Sequence, residues 1–122
     1  MIKTKSVILV VFIFVLGCSR QVNGPDTAGV QAAMKGFIEE RMAGQGGAYS
    51  IKGVSAEFDY LHDGVDERDG LFVSCADFKA GDDVYDIDYY VKAEGGVYTV
   101  VREVLHKRNK EEVGTVLWRL GG

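Results

Sequence analysis

The chain has 122 residues, about one small domain, and its apolar content of 47% is enough for a single core. Its 18 acidic residues outnumber its 14 Lys and Arg, giving a net charge of −4. With no basic stripe along it, such a chain repels phosphate backbones, which argues against nucleic acid as a partner.

Lys3 and Lys5 precede an unbroken apolar run from Val7 to Leu16. Ten helical residues reach about 15 Å, half of the roughly 30 Å hydrocarbon core, so the run is too short for an ordinary membrane span. A basic start, a short apolar stretch and a small residue form the layout of a secretory signal. Within it, Val15-Leu16-Gly17-Cys18 resembles the lipobox of bacterial lipoproteins. That resemblance implies a signal peptide at residues 1–17, a diacylglyceryl group on the Cys18 thiol, and acylation of the new N-terminus. The family more often has a small residue where Leu16 stands, and a plain signal peptide with a Cys at its cleavage site is the alternative. Several acyl chains hold a protein firmly to a bilayer, so the membrane is the partner expected through Cys18. Ser19 follows, where an aspartate would resemble an inner-membrane retention signal. The implied location is the cell envelope outside the cytoplasm, on the outer membrane facing the periplasm if the host is Gram-negative. Loss of residues 1–17 removes two lysines and no acid, taking the net charge from −4 to −6.

Residues 18–26 read as a polar tether ending in Gly-Pro punctuation, and residues 27–122 as one domain. Asp26 or Thr27 is placed to cap a helix. Over 27–43, Val30, Ala33, Met34, Phe37, Ile38 and Met42 form one apolar stripe with helical spacing. Gly44, Gly46 and Gly47 stop it.

The period then changes to two. Val54, Ala56, Phe58 and Tyr60 are expected on one side of a strand, with Ser55, Glu57 and Asp59 on the other. "DGVDERDG" reads as a charged loop, and "LFVSCADF" as a central strand apolar on both faces. In "DDVYDIDYYVKA", Tyr85, Ile87, Tyr89, Val91 and Ala93 are expected inward, with Asp86, Asp88, Tyr90 and Lys92 outward. Gly95-Gly96 joins this strand to "VYTVVREVLHK" in a hairpin, and "NKEE" turns into a last strand, "VGTVLWRL". Gly53 and Gly114 are expected to help the strands bend.

One helix followed by such strands predicts α+β: a helix across a curved antiparallel sheet of about four to five strands. This order is similar to a cystatin-like roll, with the nuclear transport factor 2-like cone as the near relative. Neither resemblance rests on a diagnostic motif, and such folds host enzymes, inhibitors and adaptors alike.

Asp86 and Asp88 lie two apart on one strand, with Tyr90 continuing the row and Glu57 and Asp59 in an acidic row on an earlier strand. Inside a concave sheet, such carboxylates do acid/base work; on a solvent face they make cross-strand pairs with Lys92, Arg102 or Lys107. Trp118, with Leu117 and Leu120, closes the end of the core or forms a patch on an edge strand. The tyrosines are numerous enough to line a pocket, although a domain this small needs their volume for its core.

No cofactor or metal is expected. Asp63, Asp66, Glu67 and Asp69 crowd one loop without the alternating positions of a calcium loop. His62 and His106 lack zinc-motif spacing, and Lys107 and Arg108 follow His106 as repelling charges. Cys75, in an apolar run, reads as a small core residue. The expectation is therefore a non-catalytic binding module, with Asp59, Asp86, Asp88, Tyr90 and Trp118 as candidate binding residues. Its partner would be another envelope protein or a small apolar ligand. The alternatives are a nuclear transport factor 2-like enzyme using Asp59, Asp88 and Tyr90, and a structural envelope component.

Overall fold

The computed structural model describes residues 27–121. The expected signal peptide, Cys18 and the tether lie outside the described residues. Helix α1 (Thr27–Gly44) is followed by strands β1 (Tyr49–Ile51), β2 (Val54–Leu61), β3 (Asp66–Arg68), β4 (Leu71–Ala80), β5 (Asp83–Glu94), β6 (Val97–Arg108) and β7 (Glu111–Arg119). No described helix is long and apolar enough to cross a membrane.

The helix forms where its apolar period runs. Val30, Met34 and Ile38, each four residues after the last, are fully buried, with Ala33, Phe37 and Met42 packed beside them. Burying each of the three stabilises the fold by about 1.5–3 kcal/mol relative to exposing it. Past the end of α1, the Gly47 N–H donates back to the Met42 carbonyl at 2.7 Å. At the other end Gly29 lies against Tyr98 of β6 so closely that a Cβ there would sit 2.6 Å from the ring. A side chain at position 29 would require the Tyr98 ring or the first turn of α1 to move.

The sheet is antiparallel throughout, in the order β1-β2-β4-β5-β6-β7, with β3 pairing β4 as well. It curls strongly around α1 into a half-barrel, so the α+β class holds. Its extent does not: the described residues form seven strands, not four or five. The two additions are three residues long, too short to display an alternation. β1 pairs Tyr49 with Ala56 through a tight turn in which Lys52 and Gly53 both have positive φ, as a two-residue hairpin requires. Gly53 is thus a turn residue and not a strand bend. β3 forms inside the expected loop, pairing Glu67 with Phe72.

Extra residues in β2 and β6 reset the alternation, and β7 has register shifts of its own against β6. In β2, Phe58 pairs with Phe78 and Tyr60 with Asp77, so Asp59 is a bulge and Tyr60 faces away from Phe58. Tyr60 is accordingly exposed, as is Val54, so these two leave the inward row expected of them. In β6, Val91 pairs with Val100 but Tyr90 with Arg102, leaving Val101 over. Glu103 and Leu105 therefore follow Val100 inward. Further on, Ile87 pairs with Leu105 and Asp86 with Lys107, leaving His106 over. In β5 the alternation runs as expected through Tyr85, Ile87, Tyr89 and Val91, all buried, and then ends: Ala93 is exposed.

The core lies between α1 and the concave face, and rings fill it. Tyr49 packs on Phe78 at 4.4 Å, Phe37 on Tyr89 at 5.8 Å, and Trp118 of β7 on Phe37 at 4.9 Å.

Candidate functional site

Two groups of ionisable side chains lie on opposite sides of the sheet. The inner one is beneath α1. Glu103 is fully buried and accepts hydrogen bonds from the hydroxyls of Tyr49 and Tyr89, while Arg41 stands 3.5 Å from its other oxygen. Arg41 in turn lies over the Phe37 and Tyr49 rings. Burial pushes the Glu103 carboxyl above its usual range, and the two hydroxyls and Arg41 work against that rise. Burial likewise raises both phenols, aided by Glu103, so they stay protonated and donate. Sequence reasoning missed this group. The only local signal is a Glu in phase with Leu105, visible once the bulge at Val101 is known.

The outer group sits on the face turned away from α1. Adjacent strands place Cys75 opposite Asp88, Asp77 opposite Asp86, and Asp86 opposite Lys107. Asp88 is 4% exposed. It is covered because the Cys75 thiol donates to its Oδ1 at 3.0 Å, Arg68 reaches over from β3 to within 4.0 Å, and His106 Nδ1 stands 3.4 Å away. Burial first, and then the hydrogen bond to Asp88, raise the Cys75 thiol and keep it protonated. The His106 ring also lies 3.9 Å from Asp86, with Glu112 3.7 Å from its Nε2. At the end of β2, His62 bonds Asp77 at 2.7 Å and stacks on Tyr60.

Asp86 is the least accommodated member. Burial raises its carboxyl, Asp88 and Asp77 raise it further, and His62 and His106 oppose the rise. Its Oδ1 is buried without a hydrogen-bond partner, and so is His106 Nδ1, whose approach to Asp88 lacks hydrogen-bond geometry. A cavity of about 390 Å³ opens beside Asp86, between His62 and Asp77 on one side and Lys107 and Asn109 on the other.

The five candidate residues therefore divide. Asp86, Asp88 and Tyr90 share the outer face, where Tyr90 carries Arg102 stacked 4.3 Å above its ring. Asp59 is apart from them, in an ion pair with Lys79 at 3.5 Å near the β4–β5 turn. Trp118 belongs to the inner side with Phe37. A plain solvent face does not describe the Asp86–Asp88 row, since Asp88 is buried and only Asp86 pairs in register with a lysine. Sequence spacing gave no sign that His62, Cys75 and His106 converge here, because they come from the residue after β2, from β4 and from a bulge in β6. Of the cations expected to repel a metal, Arg108 is held by Asp83 at 2.9 Å, while Lys107 does face the cavity.

Compared with known proteins, the chain matches no protein-family model, no curated protein sequence and no solved structure.

Proposed function

We propose that the chain is a bacterial envelope lipoprotein, anchored through lipid on Cys18, whose cystatin-like domain is a non-catalytic binding module. Its ligand surface is the outer sheet face around Asp86 and Asp88. The observation supporting this is the mismatch there: Asp86, whose buried Oδ1 lacks a protein partner, lines an open cavity, and the likewise unpartnered Nδ1 of His106 stands on its other side, with the ring 3.9 Å from Asp86. Buried acceptors are normally satisfied, so unsatisfied ones beside a cavity are suited to a ligand bringing donors or positive charge. The concave face, where a cone-shaped enzyme pocket would lie, is filled by Tyr49, Phe78, Tyr89 and the helix.

The test is the mass of the protein extracted from its own membranes, recorded under native and then denaturing conditions. A denatured mass matching residues 18–122 plus lipid, with extra native mass lost on denaturation, supports both anchor and module. An unmodified denatured mass overturns the anchor. A native mass with nothing extra, unchanged when cell extract is added, overturns the module and favours a structural envelope component.

A further inference from the structure

We propose that Asp86, Asp88 and His106 form a binding site for one divalent transition-metal ion of the zinc type. This rests on the outer face being a binding surface and names the ligand it takes. One donor atom from each of the three residues lies within 4.8 Å of the other two. Around a tetrahedral ion with bonds of about 2.0–2.2 Å, donors stand about 3.3–3.6 Å apart, so the group closes by roughly an ångström of side-chain adjustment.

Three further features favour an ion. Among the described residues, three buried side-chain polar atoms lack a hydrogen bond: Glu103 Oε1, which faces Arg41 beneath α1, and Asp86 Oδ1 and His106 Nδ1 of this triad. The surrounding residues flank the triad from outside: Cys75 and Arg68 hold Asp88, and the exposed Glu112 carboxylate stands 3.7 Å from the far nitrogen of His106. A carboxylate at the outer nitrogen is the usual support of a metal-bound imidazole. The local charge does not exclude a cation, with Asp77, Asp86, Asp88 and Glu112 set against Arg68, Lys107 and Lys110. Two carboxylate oxygens and one imidazole nitrogen suit zinc and its neighbours in the first transition row.

His62, Cys75 and Asp86 make a second group within the same 4.8 Å limit. It is the poorer set, because the thiol is protonated and engaged with Asp88, and His62 is bonded to Asp77. In the triad only Asp88 is engaged, by the Cys75 thiol and Arg68, while Asp86 Oδ1 and His106 Nδ1 have no hydrogen-bond partner.

The experiment is calorimetric titration of the full-length protein in detergent, stripped with a chelator, using Zn²⁺ alone and then Co²⁺ for its absorption spectrum. One ion per chain is expected. Asp86→Asn and His106→Gln should each weaken binding about 100-fold, while Cys75→Ser should change it by less than about tenfold. Circular dichroism of each metal-free variant, matched to the parent, establishes that a lost affinity is not a lost fold. A variant that fails this check is replaced by Asp88→Asn, which must show the same loss. The Co²⁺ complex should lack a thiolate charge-transfer band. No binding by the parent, or binding that survives both substitutions, overturns the site. A thiolate band lost in Cys75→Ser overturns the triad in favour of the second group. If Zn²⁺ fails to bind but Asp86→Asn abolishes the extra native mass of the membrane-extracted protein, the metal inference falls and the binding module stands. If neither occurs, both fall.

Discussion

The inner and outer polar groups start from the same difficulty and resolve it differently. One takes a carboxylate wholly out of water and the other partly, and in each burial raises that carboxyl above its usual range. Under the helix, Glu103 Oε2 accepts from two tyrosine hydroxyls, and Oε1, buried without a hydrogen bond, faces the Arg41 guanidinium at 3.5 Å. On the outer face, Asp86 faces two further carboxylates and keeps a buried oxygen without a partner. A network whose buried charge faces a cation in this way serves the fold, joining β1, β5, β6 and α1 across the core. An open one beside a cavity leaves capacity for something brought from outside.

If that contrast is right, substitution at the two carboxylates should act in opposite directions. Glu103→Ala should lower unfolding free energy in urea by about 3 kcal/mol, since it strands two buried hydroxyls and Arg41. Glu103→Gln keeps an acceptor and should lose about 1 kcal/mol or less. The parent's pH profile follows from the sign of the shift. A raised carboxyl means that the folded chain holds a proton that the unfolded chain releases near pH 4.5. The Glu103 contribution is then complete below that pH and declines as pH rises through the folded value, a slope Glu103→Gln should remove. A Glu103→Ala loss below 1 kcal/mol would break the comparison.

Asp86→Asn gives the next effect. Removing a charge that its neighbours repel should leave the metal-free protein equally stable or firmer by up to about 1 kcal/mol at neutral pH. Asp86 is raised in the same sense, so the gain should vanish below about pH 3.8, where the parent side chain is protonated as well. A clear loss of stability would mean that Asp86 is structurally satisfied after all, and that the outer face resembles the inner. The smallest effect supplies the baseline. Lys79→Gln breaks an exposed ion pair with Asp59 and should change stability by less than about 0.5 kcal/mol, fading further in salt.

Much of this architecture is local and legible along the chain. The four-residue steps of Val30, Met34 and Ile38 mark the face of α1, and the alternation from Tyr85 to Val91 marks β5 and its inward row. The glycines at 95 and 96 mark the hairpin into β6. These patterns repeat over enough residues for their period to appear, and an amphipathic element must bury its apolar side. Asp86 and Asp88 were visible for the same reason, as the polar half of that alternation.

Tertiary structure decided everything that depends on a partner strand. Tyr49–Ile51 and Asp66–Arg68 are strands only because β2 and β4 accept their hydrogen bonds. Asp59, Val101 and His106 are extra residues only relative to the strands beside them. Each resets which side chains face inward, and the resets turn Tyr60 out, bring Glu103 in and carry His106 to Asp86 and Asp88. A one-residue slip inverts every later side chain, so the composition of both polar groups follows from register. The sequence by itself determined the helix, the long hairpin and the class of fold, because hydrophobic period is a property of one segment. Which charges meet, and on which face, was settled between strands.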